Sequence, residues 1–545
     1  MFRPLSSLLI VFDHYILAKN TFAYHIHSLL WWIFMMGCLA LFLRSLLPVA
    51  VASMAMVMFA AEEGNAMLFT WVANRCALVS LSFGLLGLWF YIRWRNDDNR
   101  RNFWLSLISF TVALLGGEWT YALFGYLIAF ELFSKSGDPL AKRVRALAPF
   151  LGPAIALAVI TRLFGFGSKY SAIYVSPMDD FVAFLYQGTQ RFFVLIAELT
   201  FCIPADWWHL GTPWRTMFLS LNLFSPPVWR AIPPWEFWHV LLGITAAGCA
   251  TFFIRRVFVG CDTQKRILIK WLLTGSLIAL LPMVMPFIAS RSVIPAFIGI
   301  SAVLAIMFAE SIRRLIESVR QRDAAVAVMS TSIIVYLLLF QILLPAWRTN
   351  REVLVSSAVN NAVTLWVLNA EVDDKTITKQ DVVVIDGVEG ASTMYAPFVR
   401  YFYGRPVART WRVLSGAARA HDLTRVAPNV LDLHVLGGTM LESDYERTCR
   451  SDSDLMHDNQ TVRLDGLKVV IMSVRDGRPV TVRYIFPKSL DDPSYVFLES
   501  KGERLRRFAM PLVGERVRLR KGQMPSIAPA RPRHIRRSSA NPSSK

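Results

Sequence analysis

Two adjacent carboxylates, Glu62 and Glu63, sit in a turn between apolar runs, within FAAEEGNAMLFTWVANR from Phe59 to Arg75. Paired acids at such a turn suit a general base or ligands for a divalent metal, Mg or Mn. Their mutual repulsion raises one pKa. The competing reading is an ordinary solvated turn. Arg75 follows inside the next apolar run, where a charge costs roughly 2.5–3.5 kcal/mol even on a lenient insertion scale. A guanidinium there either binds phosphate, which its planar fork suits, or pairs with Glu63 or Glu118. Glu118, between two short apolar runs, is a site carboxylate or that partner. Arg291, at the end of a later run, reads as a phosphate ligand or as a snorkelling cation. Arg3 and His25 fall near the same level. Asp13 is a further candidate base, against the alternative of a solvated helix face.

The elements that must position these residues are membrane elements. The chain has 545 residues, 54% hydrophobic and 18% charged, with mean hydropathy +0.42. That excludes an ordinary soluble core over most of its length. The formal net charge of +19 is concentrated at the end: residues 501–545 carry thirteen Lys or Arg against Glu503 and Glu515. Beside a membrane domain such a tail points to anionic lipid or polyanionic envelope polymers, not nucleic acid. Six scattered cysteines show no C-x-x-C spacing, so a zinc or redox motif is not indicated and free thiols are expected.

Residues 1–20 read as an amphipathic helix lying in the interface. Ten apolar spans are predicted at 24–43, 46–61, 69–92, 102–116, 118–134, 146–164, 236–254, 267–288, 292–310 and 325–346, with 46–61 and 102–116 short. Basic loops at 93–101, 142–145, 255–266 and 313–322 are assigned to the cytoplasm. This puts 62–68, 116–118, the long loop 165–235, 289–291 and everything after 347 outside. Within the long loop, 179–203 has helical apolar spacing and reads as a second surface-lying helix, followed by Pro/Trp loops at headgroup level. The domains are thus 1–347 (membrane), 348–521 (periplasmic, a small α/β unit leading into a β module) and 522–545 (basic, disordered). DVVVIDGVEG at 381–390 has no G-x-G-x-x-G, so a dinucleotide site is unsupported.

At this point the residues resemble a known group. Arg3-Pro4-Leu5 with Tyr24-His25, then Phe59-Ala60 with Trp71 and Arg75, then Gly117-Glu118, then Pro286 with Arg291, follow the order of motifs in bacterial GT-C-type glycosyltransferases. Within that group the chain resembles polyprenyl-phosphate-sugar-dependent O-mannosyltransferases, including the transmembrane tetratricopeptide-containing ones. Asn65 stands where that group has a turn histidine. The resemblance implies a GT-C-like α-helical polytopic fold of about ten spans with a soluble α/β-to-β domain. It implies a multi-pass protein of the bacterial inner membrane with its C-terminal domain outside. Glu62, Glu63, Glu118 and Asp13 would be its catalytic carboxylates. Arg3, His25, Asn65, Trp71, Arg75 and Arg291 would bind substrate, and Glu62 with Glu63 would hold the metal. The group's catalytic aspartate lies in a first outer loop upstream of the Arg-Pro-Leu segment, so the first helix and loop are expected to be lacking here.

The implied activity is inverting transfer of a sugar from a polyprenyl-phosphate donor to a glycan, lipid or protein acceptor, with membrane lipid as a further partner. The alternatives are a non-catalytic polyprenyl-lipid-binding or assembly relative, and an envelope polysaccharide polymerase or ligase.

Overall fold

The computed structural model describes residues 2–520 apart from 168–170, 172, 207–234, 260, 388–394, 418, 443–445, 447–449, 451–453 and 502–503. The expected Pro/Trp loops, the basic tail and Cys449 therefore lie outside the described residues. The chain forms two compact units, Met1–Glu352 and Val353–Lys545.

The first unit is helical. In order it contains α1 (Pro4–Leu17), α2 (Thr21–Arg44), α3 (Val49–Ala61), α4 (Gly64–Thr70), α5 (Arg75–Asp97), α6 (Arg100–Gly116), α7 (Thr120–Phe133), α8 (Leu140–Leu163), α9 (Phe181–Phe201), α10 (Trp235–Val259), α11 (Thr263–Met283), α12 (Ile294–Gln321), α13 (Ala324–Leu338) and α14 (Leu344–Leu368). Among the described residues, seven segments are long and apolar enough to cross a membrane: Thr21–Arg44, Val72–Asp97, Leu140–Leu163, Phe237–Arg256, Thr263–Met283, Ser290–Gln321 and Ala324–Leu368. The other three expected spans are α3, α6 and α7, of 13, 17 and 14 residues. At 1.5 Å per residue they fall short of about 30 Å of hydrocarbon. Among the described residues, then, seven of the ten expected spans are of full length.

The packing is inside out, as lipid requires. Helix α1 exposes Leu8, Phe12 and Ile16 (66%, 56% and 61%) while Ser6 and Asp13 are buried. This is not the pattern of an interfacial helix with a wet polar face, because the polar side points into the bundle. Helix α9 also departs from the surface-lying expectation. Its first half exposes Phe181 and Leu185, but Val194, Leu195, Ala197 and Leu199 are buried in the main core.

Connections alternate between two ends of the bundle. At one end Arg95 bonds Glu131 (Nε to Oε1, 2.6 Å) and Asp138 (2.8 Å), while Tyr91 donates to Glu131 at 2.7 Å. This ties the α5–α6 and α7–α8 connections, both predicted to lie on one side. Mid-bundle, Tyr126 on α7 reaches Ser276 and the carbonyls of Pro295 and Ala296, and accepts from the Gly299 amide at 2.9 Å. A Cβ at Gly275 or Gly299 would stand within 3 Å of its ring, so small residues let α11 and α12 close on it.

The second unit contains β1 (Asp381–Asp386), α15 (Ala396–Phe402), β2 (Thr410–Ser415), β3 (His421–Ala427), β4 (Val430–Val435), β5 (Thr461–Leu464), β6 (Leu467–Arg475), β7 (Arg478–Ile485), β8 (Tyr495–Lys501), β9 (Arg504–Arg507) and β10 (Arg516–Leu519). One sheet has the order β2-β1-β8-β9, with β1 parallel to both β2 and β8. The other is antiparallel, β10-β3-β4-β7-β6-β5. The α/β part does not simply precede the β module: β8 and β9 return to complete its sheet. Alternation along β1 sends Val383 and Ile385 into one core and Val382 and Val384 into another with Trp366 and Ala396.

Candidate functional site

Segments far apart in sequence converge at the other end of the helical unit, around a 3-10 turn at Ser290–Val293 that opens α12. The Glu62–Glu63 turn packs directly against it. A Cβ at Gly64 would lie 2.4 Å from the Ser290 carbonyl oxygen, so only glycine permits this approach. Asn65 secures the turn by donating to the Phe59 carbonyl (2.6 Å) and accepting from the Trp32 indole (3.1 Å). Its contacts are internal to the turn and α2.

Ser290 and Arg291 point to different neighbours. The Ser290 Oγ lies 2.8 Å from Glu63 Oε1 and 2.7 Å from Asp206 Oδ2, and its amide donates to Asp206 at 3.0 Å. Arg348, at the start of α14, is paired with Glu63 and donates to the Cys202 carbonyl. Glu198, near the end of α9, accepts from the Ala205 amide at 3.0 Å. Glu62, Glu63 and Glu198 are all buried, Glu62 Oε1 has no hydrogen-bond partner among the described residues, and the Glu198 carboxyl lies within hydrogen-bond reach of Glu63 and Ser290. Burial pushes the Glu62 carboxyl up, the charge of Glu63 adds to that, and Arg348 opposes it. Burial likewise raises Glu63 and, with the neighbouring acids, Glu198.

Arg348 is held there by an irregular stretch. Residues Leu339–Leu343 form a π-helical turn between α13 and α14. Within it Gln341 donates to the carbonyls of Leu199 and Thr200 (3.2 and 3.1 Å), capping α9. Such single-turn bulges often accompany functional sites.

Arg291 turns the other way. Its guanidinium stacks 4.9 Å from the Trp71 ring and donates to Asn74 at 3.1 Å. Among the described residues it has no carboxylate ion-pair partner, and Arg3, Tyr174 and Asp206 lie within electrostatic reach. Arg3 is itself paired with Glu118. Burial pushes the Glu118 carboxyl up, and the bonds from Arg3 more than reverse it, leaving it below the ordinary range.

The remaining expected residues form a separate knot. Arg75 does not lie deep within a helix: it is the first residue of α5, after an extended Trp71 and a 3-10 turn at Val72–Asn74. It pairs with buried Asp13, not with Glu63 or Glu118, and donates to the Tyr24 carbonyl (2.9 Å) and Ser28 (3.1 Å). Asp13 also bonds His27 at 2.7 Å, and His27 accepts from the Trp31 indole at 3.1 Å. So His27 joins this network, whereas His25 is exposed. Above the knot runs a groove of about 430 Å³ between α1 and α2, walled by Phe12, Ile16, Phe22 and Ile26, with Asp13 and His27 among its lining residues.

The structure thus groups Glu62, Glu63, Trp71 and Arg291 around one turn, with Arg3–Glu118 beside Arg291, and sets Asp13 and Arg75 apart. Sequence reasoning missed Ser290, Glu198, Asp206, Arg348 and Asn74. An Arg two residues beyond an apolar run, as in PAWR, was the one available signal, and it marks many membrane-helix ends.

Among the described residues no group of three or more His, Cys, Asp or Glu is arranged to hold a metal. The cation facing Glu63 is the Arg348 guanidinium. The five described cysteines, Cys38, Cys76, Cys202, Cys249 and Cys261, are free thiols. No known protein family, curated protein or solved structure matches this chain.

Proposed function

We propose that the helical unit is a membrane glycosyltransferase of GT-C-like design, moving a sugar from a polyprenyl-phosphate donor to a hydroxyl acceptor at the outer membrane face. One observation carries the reading: consecutive residues on one turn, Ser290 and Arg291, join a buried carboxylate set to a guanidinium with no carboxylate ion pair among the described residues. Inverting transfer needs both. Glu63, held by Ser290 and Arg348, takes the acceptor proton as the hydroxyl oxygen attacks the anomeric carbon. The bond to the phosphate oxygen breaks, and Arg291, fixed by Trp71 and Asn74 and backed by Arg3, receives the developing charge. The α1–α2 groove offers an apolar surface to the isoprenoid chain. Helix α1 places it some ~14 Å from Arg3, nine residues at 1.5 Å each.

The test is sugar transfer from polyprenyl-phosphate donors by membranes carrying the full chain. Transfer that falls at least tenfold in Arg291→Ala and in Glu63→Gln supports the reading. Donor binding without any transfer points to the lipid-binding, non-catalytic alternative, and full activity in both variants removes the site assignment.

A further inference from the structure

The hydrogen bonding around Ser290 does not balance if every acid is ionised. A hydroxyl has one proton to donate. Yet Ser290 Oγ lies 2.8 Å from Glu63 Oε1 and 2.7 Å from Asp206 Oδ2. Two ionised carboxylates would leave one of these as a close contact between acceptors, in a site where the Ser290 amide and Arg348 are already committed. One extra proton resolves it: one carboxyl donates to Ser290 Oγ, and Ser290 donates to the other.

We propose that Asp206, Ser290 and Glu63 form a proton relay that holds one labile proton, shared by the two carboxyls, and links partly exposed Asp206 to buried Glu63. Among the described residues the buried Glu62 Oε1 has no hydrogen-bond partner, and the Glu198 carboxyl lies within hydrogen-bond reach of Glu63 and Ser290, so a third acid crowds the same proton. The groups facing the relay are Glu62 on its turn, Glu198 on α9, Cys202 behind it, Arg348 and Glu352 on α14, and Arg291 on the 3-10 turn. Arg348, Arg291 and, against Glu352, Arg351 face these acids, which outnumber them when fully ionised. Burial, which raises Glu63, favours keeping the shared proton. The proton belongs to the pair and not to one residue.

The use of the relay rests on the transferase reading. With the proton on Asp206, Glu63 is free to accept one from the acceptor hydroxyl. Asp206 then releases its proton to solvent, and as an ionised carboxylate it takes the Ser290 hydroxyl proton while Glu63 passes its own to Ser290 Oγ, which restores the starting state. One proton enters and one leaves.

The existence of the bound proton is tested without substrate, by infrared spectroscopy of the purified full chain at neutral pH. A protonated-carboxyl band that shifts in D2O and is lost or reduced in both Asp206→Asn and Glu63→Gln supports the relay. Ser290→Ala should shift that band and Ser290→Thr should restore it. Spectra of Asp206→Asn and Glu63→Gln identical to the parent in this band would overturn the relay, as would absence of any protonated carboxyl at pH 7. In transfer assays, a steeper alkaline or acid limb in Ser290→Ala, rescued by Thr, supports its use. An unchanged pH profile would overturn that use while leaving the transferase reading intact. A band without transfer would overturn the transferase reading and leave the relay.

Discussion

Arg75 and Arg291 are both arginines at the start of a helical segment in an apolar chain, and they do opposite things. Arg75 is saturated: a buried carboxylate, a hydroxyl and a backbone carbonyl take its donors, and it is 2% exposed. Arg291 has one hydrogen bond to Asn74 and an aromatic face, with no ion pair among the described residues. A guanidinium whose five donors are spent is architecture. One with donors in hand, held rigid by an indole, is prepared for an anion. Burial of a charge was the feature that singled out Arg75 in the sequence, and burial alone did not distinguish the two.

The contrast can be broken by substitution. Arg75→Met should be the most damaging change, leaving Asp13 buried and uncompensated at a cost of about 3–5 kcal/mol. It would show as a large drop in thermal stability in detergent, with Asp13→Asn recovering part of it. If Arg75→Met melts like the parent, the knot is not structural. Next comes Gly64→Ala, whose Cβ would meet the Ser290 carbonyl. Overpacking of this kind costs roughly 1–3 kcal/mol, and the same change should weaken transfer by displacing the turn from Ser290. A neutral Gly64→Ala would mean that the turn and α12 are not tightly apposed.

Glu62 gives a smaller, pH-dependent effect. Its carboxyl is raised in the fold, so the folded state binds the proton more tightly than the unfolded chain. Stability is therefore fullest below the unfolded value of about 4.3 and falls as pH rises through the elevated folded value. Glu62→Gln should flatten that decline on the alkaline side, seen in melting curves across pH. Glu118 has the opposite sign. Its carboxyl is lowered by Arg3, so its contribution is present above the unfolded value and is lost as pH falls through the folded one; Glu118→Gln should remove this acid-side loss. The smallest effect on the fold is expected for Arg291→Ala, within about 1 kcal/mol as for a lost single hydrogen bond. The same variant should lose at least tenfold in affinity for a polyprenyl monophosphate, measured by direct binding to the full chain. A destabilisation as large as that of Arg75→Met would erase the distinction between the two arginines.

Much of the architecture was legible because lipid leaves few options. Every predicted span overlaps a helix, since apolar runs in a membrane must satisfy their own backbone bonds, but 69–74 breaks at Trp71 before α5 and 284–288 lies beyond the end of α11. In the second unit β1 follows a short continuous apolar run, and β2, β4, β6, β7, β8 and β10 follow alternating ones. Strands β3, β5 and β9, with sequences such as HDLTRVA, TVRL and RLRR, are polar or short and carry no such signal. The site was half legible. Glu62, Glu63 and Arg291 were picked out as charges beside apolar runs, which is a local property. Glu198 and Asp206 were passed over because one lay on a helix read as surface-lying and the other in a loop read as a headgroup belt.

What the sequence determined by itself is local: where helices run, which charges stand at their ends, and that the first unit faces hydrocarbon. It could not assign partners. Asp13 against Arg75 instead of Glu118, Arg348 against Glu63, and Ser290 between two carboxylates are contacts over sequence separations of 62, 285, 227 and 84 residues. They arise only when helices from distant parts of the chain pack. Pairing is decided by which ends meet, and that depends on close approaches such as Gly64 against Ser290 and on the π-helical turn that aims Arg348.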